Sequence, residues 1–166
     1  DTISGDGLLD GGSGDDDISG VGQLYGGDGN DTITGSGLLD GGIGNDIISG
    51  DGELYGQDGD DELTGQGLLF GGNGSDTLIL NDYATPSSLD GGSGNDILYA
   101  GRGQMYYFGP EEDLNQLYAD REASFEGLAE NERVNYVQGG TGNDTMYGSY
   151  SDEIYVFNLG DGQDTI

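Results

Sequence analysis

The chain has 166 residues, enough for one domain or one run of a repeat array. Its 33 acidic residues face only 3 basic ones, and the net charge of −30 repels nucleic acid and anionic membrane surfaces while attracting cations. Cysteine and histidine are both absent. That removes disulfides, thiol chemistry and the usual zinc ligands, and leaves carboxylates and backbone carbonyls, the hard oxygen donors suited to calcium.

Read in order, the chain repeats with a period of about 15. Residues 26–40, "GGDGNDTITGSGLLD", show one unit. A six-residue glycine-rich turn ends in a carboxylate, a three-residue strand follows, then a tight Gly-x-Gly turn and a second short strand. The same plan runs through 11–25, 41–55 and 56–70, and residues 1–10 are the end of an earlier unit. A fixed short period marks a solenoid in which each coil packs on the next. Two apolar ladders run along it: Ile3, Ile18, Ile33, Ile48, Leu63 and Leu78, then Leu9, Leu24, Leu39, Leu54, Leu69 and Leu89. Strand neighbours point to opposite faces, so these residues face inward and the row Ser4, Ser19, Thr34, Ser49, Thr64 faces out.

Beyond Gly71 the coils grow. "LNDYATPS" replaces a tight turn, with Pro86 in the loop where no ladder donor is needed. Residues 91–99 restore the pattern and 100–138 interrupt it. That insertion reads as one enlarged coil with a short helix over 111–120 and strands at "EASFE" and "VNYV", after which the stack resumes in phase. It holds all three arginines, Arg102, Arg121 and Arg133. The division expected is therefore 1–99 regular coils, 100–138 enlarged coil and 139–166 C-terminal coils. The fold class expected is all-β, a right-handed parallel β-roll. No apolar run is long enough to span a bilayer. The opening "DTIS", the tail of a repeat, suggests a fragment of a longer protein.

The turn unit is GGxGxDxU, with U large and apolar. It fits at 11, 26, 41, 71, 91 and 139, and at 56 with Gln57 in place of glycine. Its sixth residues are Asp16, Asp31, Asp46, Asp61, Asp76, Asp96 and Asp144. Coils in a parallel stack lie about 4.8 Å apart, so these carboxylates come close and repel unless a cation separates them. Two apolar residues per coil are few against the entropy of ordering it, so ion binding has to contribute to folding. Three blander readings compete: a disordered acidic linker, which the in-phase ladders argue against; plain turn chemistry for the aspartates; and a solvated Ser/Thr face whose functional form, ice binding, has only Thr32-Ile33-Thr34 behind it. The residue before each long turn alternates as Asp10, Tyr25, Asp40, Tyr55, Phe70, Asp90. This is outward packing, or a partner or glycan surface anchored by tyrosines. The acids Glu111, Glu112 and Asp113 suit a first helical turn and imply no catalytic pocket.

These motifs resemble the RTX (repeat-in-toxin, haemolysin-type) calcium-binding repeats over about 1–99 and 139–166. "FEGLAENERVNYVQGGTGND" is similar to the stretches that lead back into such arrays, and "YVFNLGDGQDTI" to an array ending. The resemblance implies a parallel β-roll, secretion through a type I system of Gram-negative bacteria, and folding outside the low-calcium cytosol. It implies calcium ligands from the sixth-position side chains, extended at the ends to Asp1 and Asp164. It also implies ligands from the carbonyls of the first four turn residues: Gly11, Gly12, Ser13, Gly14; Gly26, Gly27, Asp28, Gly29; Gly41, Gly42, Ile43, Gly44; Gly56, Gln57, Asp58, Gly59; Gly71, Gly72, Asn73, Gly74; Gly91, Gly92, Ser93, Gly94; and Gly139, Gly140, Thr141, Gly142. The second turn carries no such carboxylate, so about six or seven ions are expected along one edge only. The Asp96–Asp144 step is left open by the insertion. The function expected is calcium-triggered folding and rigidity of a non-catalytic segment of a larger secreted bacterial protein. The partners are calcium, adjoining domains of the same chain, and in an alternative reading extracellular glycans. A further alternative is the non-catalytic tail of a secreted protease, lipase or polysaccharide-modifying enzyme.

Overall fold

A computed structural model describes residues 1–81, 88–100, 135–148, 153–156 and 162–166. All its regular elements are strands, and every strand pairing is parallel. Five twelve-residue strands come first: β1 Thr2–Ser13, β2 Asp17–Asp28, β3 Thr32–Ile43, β4 Ile47–Asp58 and β5 Glu62–Asn73. Shorter ones follow: β6 Thr77–Leu80, β7 Ser88–Ser93, β8 Ile97–Tyr99, β9 Asn135–Gln138, β10 Thr145–Tyr147 and β11 Glu153–Val156. The described residues contain no helix. The helix expected over 111–120 and the strand expected at "EASFE" lie outside the described residues.

The chain stacks at a constant offset, so Ile18 pairs with Ile33 and Ile33 with Ile48, while Leu24 pairs with Leu39 and Leu39 with Leu54. Both ladders are completely buried from Ile18 and Leu24 onward and extend beyond the expected rows through Leu98, Met146 and Val137. β8 and β10 pair directly, as do β7 and β9. The coils on either side of residues 101–134 therefore stack in phase, as the repeat arithmetic requires.

One expectation changes. The two short strands of each coil are a single strand, because the Gly-x-Gly corner stays in register and hydrogen-bonded: Gly20 pairs with Gly35, Val21 with Ser36, Gly22 with Gly37. Every coil bends at the same residue, so the ladder turns the corner without breaking. Gly22 takes φ 140°, and a methyl group there would lie within 3.0 Å of the Gly7 backbone, so only glycine lets the corners nest. Where the corner opens into longer segments, Leu80 stands in register with Gly65 and is buried instead.

A buried carboxylate row as candidate metal centre

The opposite edge is built differently. There the six-residue turn leaves the ladder, and its sixth residue turns inward. Asp16, Asp31, Asp46, Asp61, Asp76, Asp96 and Asp144 are between 1% and 5% exposed, a degree of burial that acidic side chains reach only when something compensates the charge. One oxygen of each is accounted for. The amide of Asp16 donates to Asp31 Oδ1 at 2.8 Å, that of Asp31 to Asp46 at 2.7 Å, and that of Asp46 to Asp61 at 2.8 Å. The chain of bonds continues through Asp76, Asp96, Asp144 and Asp164. The backbone nitrogen of Asp1 donates to Asp16 Oδ1, and the Asp1 side chain is 88% exposed. The step across the insertion, left open by the sequence, is closed: Asp96 N–H reaches Asp144 Oδ1 at 2.8 Å.

The other oxygen is the chemically interesting one. Oδ2 of Asp16, Asp31, Asp46, Asp61, Asp76 and Asp96 is buried and has no hydrogen-bond partner. The first glycine of each turn explains where it points. A methyl group on Gly11 would lie 2.5 Å from the Gly26 carbonyl oxygen and 2.6 Å from Asp16 Oδ2. The missing side chain thus leaves a small cradle bounded by a carboxylate oxygen of its own turn and a carbonyl oxygen of the next. The same pair of oxygens bounds the space at Gly26, Gly56, Gly71 and Gly91. At Gly41 and Gly139 the carboxylates of Asp46 and Asp144 approach in the same way.

Burial sets the electrostatics. It pushes Asp46 and Asp96 up to about 7 and Asp61 and Asp76 up to about 6, against the pull of the amide that donates to each. Asp31 moves upward for the same reason. Desolvated carboxylates that repel one another hold protons unless a cation takes the protons' place. Donor type fits a hard divalent cation: a bare carboxylate oxygen and a backbone carbonyl border the same small space, and hard oxygen donors are what calcium takes. Among the described residues no three acidic side chains converge on a point, so carbonyl oxygens have to supply most of the remaining donors. Models of the RTX calcium-binding nonapeptide repeat match the chain in four copies, over residues 19–37, 68–82, 86–104 and 131–166, together just over half of it. The chain belongs to the RTX calcium-binding repeat family. No curated protein and no solved structure matches it.

Within this RTX roll the expected ligands separate into kinds. The first-position carbonyls of Gly26, Gly41, Gly71, Gly91 and Gly139 border the same cradles as the carboxylate oxygens. The third-position carbonyls of Asp28, Ile43, Asp58, Asn73, Ser93 and Thr141 each accept an amide from the preceding coil, so one lone pair of each is already committed. The Gly92 carbonyl accepts from Thr141 N–H. A second side-chain ladder is not visible in the period alone. At the fifth turn position, Asp15 Oδ1 accepts from Asn30 N–H, Asn30 from Asn45, Asn45 from Asp60, and Asp60 from Ser75. Asn95 accepts from Asn143, and Asn143 from Gln163. This ladder runs opposite in sense to the sixth-position one, so the coils it joins are fastened by two polar ties of opposite sense. Its signal was the recurrent "GND", which also satisfies ordinary turn chemistry.

Proposed function

We propose that the chain is a calcium-triggered folding module of a larger secreted bacterial protein, non-catalytic in itself, which stays unfolded where calcium is scarce and stiffens outside the cell. The carrying observation is the row of buried aspartate oxygens, each bare of hydrogen-bond partners beside a glycine cradle. Seven inter-coil steps carry the aspartate tie, from Asp16–Asp31 to Asp144–Asp164, and they define the ion sites proposed. The sixth-position aspartates hold the ion through Oδ2, and the first-position carbonyl of the following coil completes the near side. The second- to fourth-position carbonyls are the further donors. A bound divalent ion supplies the positive charge that lets these carboxylates stay ionised while buried.

Because the cradle closes only when two coils meet, binding and stacking are coupled, and calcium acts through mass action on the folded state. That coupling suits export through a type I system, which the family's typical setting supports and which passes unfolded chain. No helix among the described residues is long and apolar enough to cross a membrane. The glycan-binding alternative gains less: Tyr99 and Tyr147 are exposed, but their rings stack on each other at 4.8 Å and 7°, so each already has one face covered. Far-UV circular dichroism in EDTA, followed by calcium addition and a metal count, tests the proposal. Loss of the β signal in EDTA and recovery with about six or seven bound ions is expected; a complete β spectrum without calcium overturns it.

A further inference from the structure

The sequence holds a single asparagine–glycine pair, Asn73-Gly74, at the third and fourth positions of the 71–76 turn. Such a pair can react with itself. The main-chain nitrogen after an asparagine attacks the side-chain carbonyl carbon, and glycine hinders that attack least because it has no Cβ. A carbon–nitrogen bond forms, ammonia leaves, and a cyclic imide closes. Water then opens the ring at either carbonyl, giving aspartate or isoaspartate. No other reagent is needed. The fifth-position asparagines, Asn30, Asn45, Asn95 and Asn143, are each followed by aspartate, whose side chain crowds the nitrogen.

In the roll, both reacting groups of the pair are committed elsewhere. The Gly74 amide donates to the Ser93 carbonyl of the next coil at 2.8 Å. Asn73 Nδ2 donates to Asp58 Oδ1 of the previous coil at 2.8 Å, and Asn73 Oδ1 accepts from Ser93 Oγ at 2.7 Å. The Asn73 carbonyl accepts from the Gly59 amide at 2.8 Å. Asn73 is exposed to water, so these ties hold it, and burial does not. The backbone has no slack either. Gly74 takes φ 136°, and a methyl group there would lie 1.8 Å from the Gly59 carbonyl oxygen. Every partner belongs to a neighbouring coil, so every tie is lost when the coils separate.

We propose that Asn73 is a deamidation site gated by coil stacking, closed in the roll and open whenever the turns at 56–61, 71–76 and 91–96 come apart. Its rate follows the population of the open state. The product marks the chain. Aspartate at 73 loses the Nδ2 donor and sets a second carboxylate against Asp58. Isoaspartate adds a main-chain carbon between Gly74 and Gly72, which is in register with Gln57 and Gly92, and the close stacking at Gly74 has no room to absorb it. A chain that waits unstacked therefore loses its ability to close this part of the roll. The gate follows from the stack and holds whatever ion fills the cradles.

The test incubates the full chain at one pH and temperature in calcium, in EDTA, and in EDTA with concentrated guanidinium chloride. Circular dichroism records the β signal of each sample. Peptide mapping by mass spectrometry follows amide-to-acid conversion at Asn73 and separates the aspartate and isoaspartate products. Conversion is expected to be at least about tenfold faster in denaturant than in calcium, and faster in denaturant at Asn73 than at Asn45. In denaturant, where folding is not at issue, Gly74→Ala is expected to slow it, as it must if the Gly74 nitrogen is the nucleophile. Equal rates at Asn73 with and without denaturant, while the β signal is present only without it, overturn the gate. A denatured rate no faster than that of Asn45, or one indifferent to Gly74→Ala, overturns the site. A β signal that persists in EDTA and still protects Asn73 defeats the calcium reading and supports this one.

Discussion

The two edges of the roll are equally rich in glycine and do opposite things. At the Gly20-Val21-Gly22 corner every coil bends in step, the ladder continues, and the side chain at the tip, Val21, is 56% exposed and needs nothing. At the other edge the turn leaves the ladder, is re-tied by two rows of side-chain acceptors, and buries a carboxylate oxygen that no donor reaches. Glycine content therefore does not call for a cation. What calls for one is a glycine whose missing side chain opens onto a buried, unpaired oxygen.

Alanine at the two kinds of glycine should break this comparison apart most sharply. A methyl on Gly41 collides with the Asp46 carboxylate, including its Cβ at 2.9 Å, whereas a methyl on Gly52, at the corner of the same coil, meets the Gly37 backbone, 2.2 Å from its carbonyl oxygen, and no carboxylate. Gly41→Ala is expected to lose at least one ion and to cost the calcium-loaded roll about 3 kcal/mol or more, the scale of leaving a buried charge uncompensated. Gly52→Ala keeps the full ion count even though it destabilises the roll, because a side chain at φ 132° is strained and meets backbone rather than a carboxylate. A metal count in saturating calcium reads the difference, and an equal loss of bound ions at the two edges would undo the distinction.

Protons offer a gentler probe of the same edge. Asp46 and Asp96 titrate at about 7 and Asp61 and Asp76 at about 6, against an ordinary 3.8. Raised values mean the ion-free fold binds more protons than the unfolded chain between pH 4 and 7. This contribution to stability is whole below about pH 4 and is lost as pH rises through 6 and 7. Calcium competes for the same oxygens, so its apparent affinity runs the other way. The midpoint of calcium-induced folding should rise at least about tenfold between pH 8 and pH 5.5, while the β signal that survives EDTA is greater at pH 4.5 than at pH 8. Circular dichroism at fixed ionic strength measures both. A midpoint indifferent to pH contradicts the buried-carboxylate account.

The ladders Ile18 to Leu78 and Leu24 to Leu89 and the sixth-position aspartates were legible because each recurs once per coil, and a repeated residue type at a fixed offset has to face the same way in a stack; Leu98, Met146 and Val137, which extend the ladders, were not placed because the longer segments break that offset. Three things were not legible. The corner reads as a break because Gly-x-Gly ends strands in most folds; only the stacking of identical corners keeps it in the ladder. Gln57 reads as a lapse from the glycine consensus, since nothing local reveals that its side chain reaches Asp40, 17 residues back. The fifth-position residues read as turn chemistry because asparagine satisfies its own coil and its neighbour equally well on paper. The Asp96–Asp144 step was undecided because the two residues are 48 positions apart in the chain, yet spatially it is one more coil spacing.

The fifth-position ladder yields the smallest expected effect and the finest test of how the calcium edge is fastened. Asn45 Oδ1 accepts from Asp60 N–H at 3.0 Å, and its own amide donates to Asn30 Oδ1. Asn45→Ala removes the first bond and keeps the second; because the site is exposed, water replaces part of the loss, and about 0.5–1.5 kcal/mol is expected in saturating calcium. Asp15 and Asp60 already fill this role with a carboxylate, so Asn45→Asp should keep the bond and most of the stability. The two variants separate a structural tie from a charge effect. If aspartate at 45 costs as much as alanine, repulsion from the neighbouring Asp46 and Asp60 outweighs the hydrogen bond, and the ladder depends on asparagine for its neutrality rather than for its acceptor oxygen.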